Sequence, residues 1–160
     1  MNKDLSNIII WTENKPGVFF RILWLFRRKM FNIETATVGH TEIPGVTRFT
    51  ITVAAASDQV KNICKQLTKL INVIKAQDVS DELLVSRELA LMKIGILNKE
   101  EKKEILRVIE HFRGRVINMA KNSLMIEVTG DEAKIDAFYE NMKDFVIKEF
   151  VRTGRTALFK

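Results

Sequence analysis

Glu13-Asn14-Lys15-Pro16-Gly17 stands between an apolar run, Ile8-Ile9-Ile10-Trp11, and a helix-like segment from Val18 to Lys29. These letters describe a strand that stops, a loop of restricted geometry, and a helix that begins with bare amides. Pro16 presets its own φ and gives up a donor that the first helical turn does not use. Gly17 carries no Cβ, so another backbone or a small ligand can come close. The unpaired N–H groups and the positive dipole end of the helix form a seat for a carboxylate. A plain strand-to-helix connection is written with the same letters. The rest of the chain has to separate the two readings.

Working outward, residues 1–78 read as strand, helix, strand, strand, helix, strand. The strands are expected at Asn7–Glu13, Ile33–His40, Val46–Ala54 and Val73–Asp78. The third alternates, with Phe49, Ile51 and Val53 on one face and Arg48, Thr50 and Thr52 on the other. Helices are expected over Gly17–Lys29, with a stripe of Phe19, Ile22, Leu23, Phe26 and Met30, and from Ser57 to about Leu70. After a separator at 79–86 the pattern repeats over 87–160. Strands are read at Glu88–Ile96, Arg115–Met119, Ser123–Gly130 and Val146–Thr153, and helices at Lys99–Phe112 and Asp131–Asp144. The expected fold is α+β, two tandem ferredoxin-like βαββαβ domains, each with four antiparallel strands carrying two helices on one face. The other face of so small a sheet calls for a second subunit, a ligand layer or nucleic acid to cover it.

Composition narrows the function classes. The chain has 160 residues, 46% hydrophobic and 29% charged, as expected of a globular protein. No apolar run approaches the roughly 20 residues that cross a bilayer. Met1-Asn2-Lys3-Asp4 leads straight toward a strand and does not read as a secretion signal, so a cytoplasmic location is expected. The single cysteine, Cys64, lies at helical spacing with Val60, Ile63 and Leu67 and reads as a core residue. Net charge is +6, and it is uneven: residues 1–80 hold eleven basic and six acidic side chains, residues 81–160 fifteen and fourteen. An anionic partner therefore suits the first half. Arg27-Arg28-Lys29 ends a helix, where cations complement the dipole without any partner.

The catalytic inventory is thin. His40 and His111 fall in different halves without metal-ligand spacing, and no phosphate-binding loop, dinucleotide fingerprint or nucleophile elbow is present. The chain reads as non-catalytic, with no cofactor or metal of its own. Phe20 and Trp24, four apart on the first helix, fall off its sheet-facing stripe. They either mark a partner contact or fold under a neighbouring loop. Asn32, entering the second strand, has an amide that can donate and accept at once, and so can hold both ends of an amino acid.

Glu13-Asn14-Lys15-Pro16-Gly17-Val18, Arg21, Phe31-Asn32-Ile33-Glu34 and Thr47-Arg48-Phe49-Thr50-Ile51 together resemble the ACT domain of the acetolactate synthase small subunit. The resemblance continues through Arg87-Glu88-Leu89-Ala90-Leu91-Met92-Lys93, Phe112-Arg113-Gly114, Lys134-Ile135-Asp136-Ala137-Phe138 and Arg152-Thr153-Gly154, and so covers nearly the whole chain. It implies an ACT domain over 1–78 and the family's C-terminal ferredoxin-like domain over 87–160. It further implies a homodimer through the ACT domains, valine bound between them as feedback effector, and activation of a catalytic large subunit that uses thiamine diphosphate and Mg. In that picture Asn14, Pro16, Gly17 and Val18 receive the effector's carboxylate, while Asn32 and Ile33 come from across the interface. Phe20, Trp24, Arg27 and Arg28 are the expected contacts with the catalytic subunit. The family has glycine where this chain has Met30, and small residues where it has Phe20 and Trp24. A positive φ at Met30 would cost about 1–2 kcal/mol, and bulk at Phe20 or Trp24 would crowd the effector site, so a subunit that activates but has lost valine sensing is an alternative.

Two other readings compete. A nucleic-acid binder using the open sheet face would need an aromatic stacking pattern that the strands lack. A free-standing amino-acid sensor for another enzyme would have no use for the family-like second domain.

Overall fold

The computed structural model describes residues 5–80 and 84–160. The Met1–Asp4 segment and part of the separator, Asp81 to Leu83, lie outside the described residues. In chain order come β1 (Leu5–Glu13), α1 (Val18–Arg28), β2 (Ile33–His40), β3 (Val46–Ala54), α2 (Ser57–Leu67) and β4 (Val73–Asp78). They are followed by β5 (Leu84–Gly95), α3 (Lys99–His111), β6 (Arg115–Ala120), β7 (Ser123–Gly130), α4 (Glu132–Met142), β8 (Ile147–Arg152) and β9 (Thr156–Phe159). The chain divides into two compact units, one running to Val85 and taking in Arg155–Lys160, the other Ser86–Gly154.

In the first unit the antiparallel strands lie in the order β2-β3-β1-β4. Ile8 and Ile10 stand opposite Ile51 and Phe49, and α1 and α2 press Val18, Ile22, Leu25, Phe26, Val60, Ile63, Cys64 and Leu67 onto that face. Burying each large side chain contributes about 1.5–3 kcal/mol. The second unit repeats the plan with order β6-β7-β5-β8. Its core joins Met92, Ile94, Leu124 and Ile126 to Ile105, Ile109, Ile135 and Phe138. Asn98 and Asp131 cap α3 and α4 by accepting from the amides of Glu101 and Lys134. The buried Glu88 carboxylate faces Arg152, whose Nε lies 3.3 Å away and whose Nη1 donates to Asp136 at 2.6 Å. The two βαββαβ units are the expected architecture.

Several details differ from expectation. The buried stripe of α1 is Val18, Ile22, Leu25 and Phe26; Leu23 is half-buried, Phe19 is 42% exposed and Met30 90%. The stripe keeps its helical spacing but is rotated, because the short helix starts at Val18 and that residue faces inward. The separator is shorter than expected: Val79 is buried with its N–H on the Asn7 carbonyl, and β5 already begins at Leu84. Arg155–Lys160, the end of the expected 87–160 domain, lies in the first compact unit of the structure. β9 has no counterpart in the sequence reading. Its segment covers part of the sheet face expected to lie open. There the Thr37 hydroxyl donates to the Arg155 carbonyl at 2.7 Å, Arg155 Nη1 to Asn7 Oδ1 at 3.2 Å, and Phe159 stacks on Trp11 at 6.4 Å. Accordingly Thr50 and Thr52, on the polar face of β3, are as buried as its apolar residues.

Cys64 is buried in the α2 face of the core, and burial, with the Asp78 charge as a second cause, pushes its thiol up to about 12. Because the folded state holds the neutral thiol, its contribution to stability is complete below the unfolded value near 9 and is lost as pH rises from there toward 12. A thiol reagent at pH 8 should label the native protein at least about a hundredfold more slowly than the urea-unfolded chain. Equal rates would show that Cys64 is not held in the core.

Candidate functional site: the two ends of the first helix

β1 ends at Glu13, and the loop that follows is fixed from three sides. The Asn14 amide donates to the Gly45 carbonyl at 2.7 Å, and the Glu13 amide to the Asn72 carbonyl at 2.9 Å. Lys15 pairs with the Glu13 carboxylate at 2.6 Å. Pro16 is exposed, and Gly17 turns the chain with φ 80°, a conformation that a Cβ would strain. Val18 then enters the core. Gly17 supplies no side-chain cap, and the first turn of α1 holds no acidic residue. The Phe19 and Phe20 amides have no hydrogen-bond partner among the described residues. The loop thus leaves the first amides of α1 exposed beside Gly17.

A polar network beneath it was not foreseen. Arg21 Nη1 donates to Asn72 Oδ1 at 3.2 Å, and Asn72 Nδ2 donates to Glu13 Oε2 at 2.8 Å. Asn72 holds φ 71°, which asparagine tolerates better than other side-chain-bearing residues. The Lys15 and Asn72 hydrogen bonds and the Lys15 charge hold the Glu13 carboxyl below its ordinary value. The only signal available in the sequence was an asparagine just before a strand. Nothing there could show that it meets a residue 51 positions away.

Asn32 and Ile33 lie at the other end of α1. Asn32 is exposed and donates to Glu34 Oε1 at 2.8 Å, while Ile33 packs at the edge of the core. Leu23, Phe26, Arg27, Met30, Asn32 and Ile33 border an open hollow of about 510 Å³. Met30 has φ 59°, so the position does require the left-handed conformation for which glycine is suited. An eleven-residue helix is about 16 Å long, so one chain does not bring Asn32 to the Gly17 loop. Between the two ends, Phe20 and Trp24 are 71% and 48% exposed, and Arg28 lies over the Trp24 ring at 4.9 Å. Arg27 is exposed as well. Among the described residues no group of three His, Cys, Asp or Glu could hold a metal ion, and no helix is long and apolar enough to cross a membrane.

Comparison with known proteins bears on both units. Residues 8–75 match the AHAS small subunit-like ACT domain, and residues 87–160 the family described as small subunit of acetolactate synthase. The chain belongs to the acetolactate synthase small-subunit family. A relative from Methanothermobacter thermautotrophicus, named "Probable acetolactate synthase small subunit", is 45% identical over 99% of this chain and 94% of its own length. The acetolactate synthase small subunit of Bacillus subtilis is 41% identical over 94% of this chain and 87% of its own. The crystal structure of the acetolactate synthase small subunit from Thermotoga maritima superposes with a TM-score of 0.88 at 34% identity, covering 98% of this chain and 97% of that one. Membership of this small-subunit family agrees with the reading of the chain as a non-catalytic subunit. In family terms, the Pro16-Gly17 loop and Asn32 both lie within the ACT match.

Two backbone positions can be tested directly. Met30→Gly should raise stability by about 0.5–1 kcal/mol, since relief of the left-handed strain exceeds the added unfolded-state entropy. Asn72→Ala should cost about 1–3 kcal/mol by losing two side-chain bonds while keeping a positive φ. Urea unfolding midpoints check both. A neutral Asn72→Ala would mean that the network does not hold the loop.

Proposed function

We propose that this chain is the regulatory subunit of an acetolactate synthase, raising the activity of a thiamine-diphosphate- and Mg-dependent large subunit and relaying feedback inhibition by valine in branched-chain amino-acid synthesis. It works as a homodimer through its ACT domains. The effector's carboxylate sits on the amides that follow Gly17, in the loop Asn14, Pro16, Gly17 and Val18. Asn32 of the partner subunit takes the amino group, and the partner subunit's Ile33 borders the aliphatic side chain. Phe20 and Trp24, with Arg27 and Arg28, face the large subunit.

The observation that carries this reading is the separation of the two half-sites. Bare amides lie at one end of α1 and an exposed asparagine lies about 16 Å away at the other. A single amino acid cannot touch both within one chain. A twofold dimer with the Gly17 loop of each chain beside the Asn32 of the other would complete two such sites. Selectivity among aliphatic effectors is then modest, since one methylene contributes about 1–3 kcal/mol.

The test is acetolactate formation by the cognate large subunit, with and without this chain, across a valine titration. The chain should raise the rate and valine should lower it again. Asn32→Ala should keep the activation and raise the half-inhibitory valine concentration at least tenfold. Mixing Asn32→Ala with Gly17→Asp should restore part of the valine response, because a mixed dimer contains one intact site. Activation that valine cannot reverse would retain the subunit role and remove the effector role, with Met30 beside Asn32 and Phe20 beside the loop as the residues responsible. No change in rate would overturn the reading and favour a free-standing sensor.

A further inference from the structure

On the sheet face opposite α1 and α2, entirely within the first unit, lies a cavity of about 290 Å³. β2 and β3 form its floor and the segment Thr156–Leu158 one wall. The register sets Thr37 opposite Thr50 and Gly39 opposite Arg48, so these four share one face. His40 and Thr41 stand at the rim with Glu42.

Arg48 has unusual surroundings. Its guanidinium lies 5.2 Å from the Trp11 ring and 5.9 Å from the Phe159 ring. The two stacked rings partly compensate the charge, but they do not satisfy N–H groups, which point outward in the guanidinium plane. In that plane Nη2 donates to the Ala157 carbonyl at 2.6 Å, Nε is buried without a partner, and no bond from Nη1 is present among the described residues. No described carboxylate lies within ion-pair distance of it. Burial pulls the Arg48 pKa below its ordinary value, and the Glu42 charge draws it back up only in part. A half-buried cation that makes no ion pair with a described carboxylate therefore lines a cavity that also holds threonine side chains. The space beside it is open by composition too, since a Cβ added at Gly39 would meet nothing within 4 Å.

We propose that this cavity is a second ligand site of the ACT unit, one that takes a small oxyanion, carboxylate or phosphate, on the Arg48 guanidinium with the Thr50 hydroxyl beside it. It lies on the other side of the sheet from the α1 loop. It depends neither on a second copy of the chain nor on the identity of the effector. Arg48 also ties down the 155–160 segment through Ala157, so ligand binding bears on how firmly that segment is held.

The test is thermal unfolding of the full chain titrated separately with inorganic phosphate and with acetate, at constant ionic strength set with chloride. A saturable rise in Tm is expected with at least one of them. A response to phosphate alone assigns a phosphorylated ligand, and a response to acetate alone a carboxylate. Gly39→Val should leave the unliganded Tm unchanged, because the added side chain enters open space from ordinary strand backbone. It should raise the apparent Kd at least tenfold by filling the cavity. Arg48→Met should do the same but also lower the unliganded Tm, and Glu42→Gln should tighten binding. The proposal is overturned if neither anion saturates. It is equally overturned if binding survives Gly39→Val, or is removed only by Gly17→Asp, which would place the anion at the helix loop.

Discussion

Ile8, Ile9 and Ile10 are wholly excluded from water, which demands apolar cover on both faces of β1. Side chains alternate along a strand, so no single layer of helices can bury all three. α1 and α2 cover Ile8 and Ile10. On the opposite face, which Ile9 shares with Asn7 and Trp11, Arg155 bonds Asn7 and Phe159 stacks on Trp11. The buried threonines of β3, the Arg48 contact with Ala157 and the stacked Trp11 and Phe159 rings all follow from that second layer. A four-stranded sheet with one bare face would have been weaker and prone to stick to itself.

The second constraint is the length of α1. The helix is long enough to span the sheet and too long to let one ligand touch both its ends. Its N-terminus is held open by Gly17 and steadied by Glu13, Arg21 and Asn72. Its C-terminus closes through Met30 in a conformation suited to glycine. These ends are stiff for different reasons, one by hydrogen bonds and one by backbone geometry. A half-site that is already ordered loses less entropy when a ligand or a second copy arrives.

Much of this was legible in the chain because the signals were local. The alternation of β3, the Pro16-Gly17 punctuation and the Val60-Ile63-Cys64-Leu67 stripe each fix an element within about two turns of their own sequence. The phase of α1 differs from the expected stripe because Phe19, Leu23 and Met30 are apolar without being fully interior. In a helix this rich in large side chains, spacing alone gives several stripes. β9 escaped because four residues, Thr156-Ala157-Leu158-Phe159, carry too short a pattern to stand out. The Arg21–Asn72–Glu13 network and the Arg48 contact with Ala157 join residues 51, 59 and 109 positions apart. Such contacts are fixed by topology, and no window along the sequence contains them. The departure at Met30 was visible as a letter, but its meaning required the φ angle.

The placement of residues 155–160 has a consequence for synthesis. The unit whose translation begins first is closed by residues that are made after the whole of the second unit. During translation the contacts of Arg155 with Asn7 and of Phe159 with Trp11 are absent until then. The order of birth and the order of completion are therefore reversed between the two halves. A nascent chain halted after Gly154 would lack β9, which pairs with β5, and the contacts that Arg155 and Phe159 make on the first sheet. Such a species is open to chaperones and to misassembly, so residues 155–160 act as a late step in the folding of the first unit.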